Sequence, residues 1–124
     1  MKRQILVMVL LMLAPLFHAY SQDKDQKVEA YYFHNKTRCM TCNTVEKVTK
    51  ESLQELYGDK IVFKSLVFED KSNKDVVKKY QVEGQSLIFV KGDKKTDITN
   101  YAFLNAVTRP EKLKEKIKET VDNL

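Results

Sequence analysis

Three short apolar runs decide most of what this chain can become. Val28-Glu29-Ala30-Tyr31-Tyr32-Phe33, Ile61-Val62-Phe63-Lys64-Ser65-Leu66-Val67-Phe68 and Leu87-Ile88-Phe89-Val90 are rich in the β-branched and aromatic residues that suit strands. The segments between them change period. From Asn43 to Tyr57 the apolar positions Val45, Val48, Leu53, Leu56 and Tyr57 recur at helical spacing, and Gly58-Asp59 ends that helix. Ser72 or Asn73 is expected to cap a shorter helix carrying Val76, Val77 and Tyr80, broken by Gly84. Lys91-Gly92-Asp93-Lys94 reads as a tight reversal into a strand at Lys95-Thr96-Asp97-Ile98. Tyr101, Phe103, Leu104 and Val107 suggest a short helical turn packed on the core. Thr108-Arg109-Pro110-Glu111 starts a final helix with Leu113, Ile117, Val121 and Leu124 as its apolar stripe.

The expected order is β-α-β-α-β-β-α. Strand, helix, strand demands a parallel unit with a right-handed crossover, and the hairpin adds antiparallel pairing. The fold class is therefore α/β, with a central mixed sheet of about four strands flanked by helices. The run Ile61–Phe68 is the strongest strand pattern in the chain, apolar enough to be expected buried on both faces.

Residues 1–21 read as a signal peptide. Lys2 and Arg3 precede an apolar run from Ile5 to Phe17, and Ala19-Tyr20-Ser21 offers small residues for cleavage before Gln22. The run has 13 positions and contains Pro15, whereas a spanning helix needs roughly 20 apolar residues. Membrane contact is thus expected only through this segment, if it is retained, and the periplasm or cell envelope is the expected location. Residues 22–27 form a polar, flexible leader, and residues 28–124 form one domain, expected to be a monomer. Without Lys2 and Arg3, 20 of the 22 basic residues face 17 acids, a net charge of +3. Most of the lysines alternate with glutamates along helices, which describes solvated faces, so no nucleic-acid partner is expected.

The cysteine content is one pair, Cys39 and Cys42, in a chain expected to enter an oxidising compartment. A disulfide closing so short a loop adds little stability, which favours chemistry over scaffolding. Cys39-Met40-Thr41-Cys42 falls where the first strand's loop becomes the first helix. A helix start carries unpaired N–H groups and partial positive charge, both of which favour a thiolate. Lowering a thiol from about 8.5 to about 6.5 requires about 2.7 kcal/mol in favour of the anion. The helix terminus supplies up to ~2 kcal/mol, and Lys36 or Arg38 a further ~1. Cys39, at the entrance, is the expected nucleophile, and Cys42, one turn further in, the resolving thiol.

Other readings of the pair stay open. A closed zinc site needs four ligands, but His34 is the only histidine after residue 18 and there is no third cysteine. Soft-metal or metalloid binding by two thiolates, for Cu(I), Zn(II) or As(III), and a redox-inert disulfide in an interaction module remain as alternatives. His34 reads as a solvated loop residue in the first instance, with a proton-accepting role as the alternative. Glu69 and Asp70 read as polar residues leading a helix.

The strand, the cysteine pair at a helix start and Tyr80-Gln81-Val82-Glu83-Gly84-Gln85-Ser86-Leu87-Ile88-Phe89 together resemble the thioredoxin superfamily over roughly residues 28–123. Tyr31-Tyr32-Phe33-His34, Arg38-Cys39-x-x-Cys42 and Arg109-Pro110-Glu111-Lys112 further resemble a small group of exported bacterial proteins called the nitrophenyl compound nitroreductase subunit ArsF family. The resemblance implies a thioredoxin-like fold and thiol–disulfide exchange with a protein thiol or disulfide partner, without an organic cofactor. It places Arg38, Met40, Thr41, Ser86 and His34 around the cysteines. Two residues depart from the superfamily pattern: Arg38 stands where thioredoxins carry tryptophan, and Ser86 where they carry a cis-proline facing the disulfide. A cis bond before a non-proline residue costs about 3 kcal/mol, so Gln85-Ser86 is expected to be trans. Tyr31 stands where thioredoxins often bury an acid, leaving His34 or Glu69 as candidates to accept the resolving thiol's proton.

Overall fold

The structure, a computed structural model, describes residues 26–124. The expected signal peptide and residues 22–25 of the leader lie outside the described residues. Gln26 and Lys27 are exposed and irregular. The elements that follow are β1 (Glu29–His34), α1 (Met40–Tyr57), β2 (Val62–Val67), α2 (Lys74–Lys79), β3 (Ser86–Lys91), β4 (Lys94–Asp97), α3 (Thr99–Asn105) and α4 (Pro110–Asp122). Single 3₁₀ turns at Gly58–Lys60 and Lys71–Asn73 lead into β2 and α2.

The four strands form one sheet in the order β2-β1-β3-β4. β1 and β2 run parallel, pairing Glu29 with Val62 and His34 with Val67, because α1 carries the chain back across the sheet. β3 is antiparallel to β1, with Phe33 opposite Ser86, and β4 is antiparallel to β3. Gly92 at φ +58° supplies the left-handed residue that the two-residue hairpin turn requires. This is the expected α/β architecture, and its strand order makes β2 an edge.

That order corrects one expectation. The run from Ile61 to Phe68 is not buried on both faces: Val62 and Lys64 are exposed, and the rest of β2 is half-buried. Its neighbour β1 occupies the inner position, and five of the six β1 residues are buried. Apolar content alone does not distinguish an edge strand from an inner one when a helix layer lies over part of it.

Side-chain alternation along β1 and β3 splits the core in two. On one face Ala30, Tyr32, Leu87 and Phe89 pack with Val45 and Leu53 of α1, Ala102 of α3, and Leu113 and Ile117 of α4. On the other, Tyr31, Phe33, Ile88 and Val90 meet Leu66 of β2 and Val76, Val77 and Tyr80 from α2 and its end. α3 is a full two-turn helix in the place expected for a short turn. Its buried side is Ala102, Asn105 and the adjoining Ala106, so the helix sits close to the sheet. Leu104 and Val107, expected on the core, face solvent; Leu104 is 73% exposed.

The helix ends also differ from expectation. Asp70, not Ser72 or Asn73, caps the turn before α2, accepting from the Ser72 N–H and hydroxyl, each at 2.9 Å. The Asn73 side chain instead donates to the Val67 carbonyl at 2.9 Å, fastening this turn to β2. The N-cap of α4 is Arg109 and makes no side-chain cap bond; Pro110 at the first helical position and Glu111 behind it define the start.

Candidate functional site

Helix α1 begins at Met40, three residues before the apolar periodicity that marks it in the sequence. The cause is Cys39. Its backbone is extended, at φ −90° and ψ 168°, its carbonyl accepts the Asn43 N–H at 3.1 Å, and its sulfur accepts the Cys42 N–H at 3.1 Å. Cys39 is thus the N-cap, with Sγ in the place usually taken by a serine or aspartate oxygen. No acidic residue occupies the first turn. The partial positive charge of the helix start acts directly on that sulfur.

Cys42 lies one turn in, on the core side. It is 3% exposed, whereas Cys39 is exposed. The two are joined as a disulfide, with Cα atoms 5.1 Å apart. One sulfur is therefore presented to solvent and the other is covered. Met40 between them is 72% exposed, and Thr41 is half-buried.

The floor of the site is β1. The Tyr32 hydroxyl donates to the Cys42 carbonyl at 2.9 Å, tying the first turn of α1 to the sheet. Burial pushes the Tyr32 phenol up to about 12, the Glu46 carboxylate adds to this, and the Arg38 guanidinium opposes it. Tyr31 points to the opposite face and donates to Glu29 Oε2 at 2.6 Å. Position 31, where the resemblance set a buried acid, does not face the cysteines through its side chain; Tyr32 does.

His34 is the last residue of β1 and is 4% exposed, so it is not a solvated loop histidine. Its Nδ1 lies 2.9 Å from the Asn35 carbonyl, and its Nε2 meets the Arg38 guanidinium. A guanidinium only donates, so Nε2 is the acceptor and Nδ1 carries the proton. Arg38 also forms an ion pair with Glu46 and approaches Ser65 Oγ at 3.5 Å. Its charge is therefore shared with a carboxylate. The lysine side of the loop is held differently: the Lys36 N–H donates to Glu69 Oε2 at 2.9 Å. Glu69 is a loop anchor in this arrangement, and Asp70 is a cap.

These pairings revise the electrostatic sum. With Arg38 matched by Glu46, the stabilisation of a Cys39 thiolate rests on the helix start and the Cys42 N–H. That contribution, up to ~2 kcal/mol, favours the anion and so lowers the thiol below its ordinary range.

Across from α1, Gln85 and Ser86 open β3. Among the described residues there is no cis peptide bond, so Gln85-Ser86 is trans as expected. The Ser86 hydroxyl donates to the Gly84 carbonyl at 3.1 Å, within its own loop. The side chain that reaches the cysteines is its neighbour: Gln85 Oε1 lies 3.3 Å from Cys42 Sγ. Gln85, Glu46 and Tyr32 are the site members that motif reading did not place here. Glu46 had a signal, being four residues after Cys42 on the same helical face.

The described residues hold no group of three or more His, Cys, Asp or Glu side chains arranged to bind a metal ion. No described helix is long and apolar enough to cross a membrane. Fold and site together define the class: a thioredoxin-like α/β domain carrying a CxxC disulfide at the start of its first helix. No family model matches the chain, and no curated protein matches it. A solved structure described as "Structure of a malarial protein" is similar at a TM-score of 0.51 and 20% sequence identity, covering 77% of this chain and 98% of that one. A likeness at that identity carries the fold alone.

Proposed function

We propose that the protein is an exported thiol–disulfide oxidoreductase that cycles Cys39 and Cys42 between dithiol and disulfide. The observation that carries this reading is the unequal placement of the two sulfurs. Cys39 is exposed and capped onto the helix start by the Cys42 N–H at 3.1 Å, whereas Cys42 is covered and bonded to it. In the direction that reduces a partner, the Cys39 thiolate attacks a partner disulfide, forming a mixed disulfide and releasing one partner thiolate. The Cys42 thiolate then attacks Cys39 Sγ, closing the intramolecular disulfide and releasing the second. The partner gains two electrons, the pair loses two, and the two protons lost from the cysteines end on the released thiolates. The reverse sequence oxidises a partner dithiol.

The partner on this reading is a protein thiol or disulfide in the periplasm or cell envelope, reached through the signal peptide. No organic cofactor takes part, because the sulfurs hold the electron pair. Resemblance of the cysteine segment and of Arg109–Lys112 to the exported ArsF group supports the same assignment.

Exchange of the reduced protein with glutathione buffers, followed by mass spectrometry of the Cys42→Ser variant, tests the proposal. Reversible two-electron exchange is expected for the native pair. A mixed disulfide on Cys39 should accumulate in the variant, and Cys39→Ser should abolish exchange. A pair that stays oxidised in these buffers would contradict the reading and favour an inert disulfide. Stoichiometric retention of Cu(I) or As(III) without exchange would favour ion binding.

A further inference from the structure

Cys42 poses a solvation problem that the fold answers with one side chain. The residue is 3% exposed, its N–H is given to Cys39 Sγ, and its carbonyl accepts the Tyr32 hydroxyl. In the disulfide its sulfur carries no proton. After reduction it must exist as a thiol and then as a thiolate, and a buried anion without a hydrogen-bond donor is costly. Among the described residues, the polar side-chain atom within hydrogen-bond reach of Cys42 Sγ is Gln85 Oε1, at 3.3 Å.

We infer that Gln85 is a positioning residue for the resolving step, serving the Cys42 sulfur in both of its protonation states. The inference rests on the thiol-exchange reading. A primary amide has an acceptor and a donor of nearly equal shape, exchanged by a half-turn about one bond. Toward the thiol, Oε1 accepts the S–H. Toward the thiolate, Nε2–H donates to the sulfur. A carboxylate could serve only the thiol, and an ammonium only the thiolate. The amide adds no charge to the covered sulfur, and it does not take the proton, which passes to solvent before Cys42 attacks Cys39.

The placement of Gln85 suits this role. It precedes Ser86, whose backbone is fixed opposite Phe33 in the β1–β3 ladder, and the Ser86 hydroxyl is bonded back to Gly84. The segment is thereby anchored on both sides of the residue. His34 and Glu69, the candidates for handling the Cys42 proton, are engaged elsewhere, with Arg38 and the Lys36 N–H.

Stopped-flow reaction of the reduced protein with the chromogenic disulfide dithionitrobenzoate separates the two steps. Attack by Cys39 releases one coloured thiolate, and attack by Cys42 releases the second. Gln85→Ala should slow the second phase about tenfold, the worth of one hydrogen bond to a charged group, and raise its pH midpoint by about one unit. The first phase should change less than twofold, which also reports an intact fold. The near-isosteric Gln85→Glu should raise the second midpoint further, because a carboxylate repels the thiolate. The thiolate absorbance of Cys42 in a Cys39→Ser background should shift in the same order. Equal slowing of both phases, or an unmoved second midpoint, would overturn the inference. A wild-type protein that releases no thiolate would contradict the thiol-exchange reading itself, and the inference with it.

Discussion

The two faces of the sheet are covered to very different depths. The cluster that β1 and β3 form with α1, α3 and α4 holds eleven buried residues, from Ala30 and Tyr32 of the sheet to Leu113 and Ile117 of α4. Under α2 lie four: Tyr31, Phe33, Ile88 and Val90. The same two strands serve both layers, since alternate side chains of β1 and β3 point to opposite sides. The difference comes from the helices. α4 packs along α1 through Leu113 and Ile117, whereas α2 is six residues long and has no fully buried residue. The cysteine pair belongs to α1 in the deep layer. Gln85 arrives at the end of the segment that follows α2 and meets Cys42. The site is thus a seam. Its covered sulfur rides on a helix with five buried residues, and the side chain meeting it comes from the segment after α2, a helix with none.

That contrast has measurable consequences, the largest being in stability. Leu113→Ala removes a fully buried side chain between α4 and the sheet and should cost 2–5 kcal/mol, about the range for such cavities. Val77→Ala trims a half-buried side chain of α2 and should cost about 1 kcal/mol. Urea denaturation of both variants checks the pair. Similar losses would mean that the shallow layer contributes as much as the deep one.

A smaller effect is a loss of stability at high pH, to which both faces contribute, since burial also raises the Tyr31 phenol of the shallow layer. The Tyr32 phenol, in the deep layer, is pushed up to about 12 by burial, and Tyr57, beside Asp122, likewise to about 12. Each is raised above its ordinary value near 10, so each contributes stability fully present below about pH 10 and lost as the pH climbs toward 12. The urea midpoint should fall over that window. Tyr32→Phe cannot ionise there, so it should flatten part of the fall, although it also loses the bond to the Cys42 carbonyl. An unchanged slope in that variant would remove Tyr32 from the account.

How far the sequence carried the fold varies with the kind of signal. β1, the period of α1, the β3–β4 hairpin and the cysteine pair at a helix start are local patterns, and each is legible where it stands. Position in the sheet is not local. Nothing within Ile61–Phe68 states that β1 and β3 take the inner places, so its composition alone overstates its burial. α3 departs from its pattern for another reason: Leu104 and Val107 are large and apolar yet exposed, while Ala102 and Ala106 are the buried positions, whose small size permits close approach. At the site, the cysteines and their order of exposure followed from a helix start alone. The Arg38–Glu46 pair crosses the helix boundary, the burial of His34 depends on where β1 ends, and Gln85 meets Cys42 across 43 residues of chain. Each of these needs the tertiary fold.

The account turns on whether the helix start holds the exposed sulfur as an anion. Iodoacetamide alkylation of Cys39 as a function of pH, in the Cys42→Ser variant, measures this directly, because the N–H at position 42 is retained. A midpoint clearly below that of an ordinary thiol is expected, because the helix start favours the anion. A midpoint at about 8.5, that of an ordinary thiol, would contradict it.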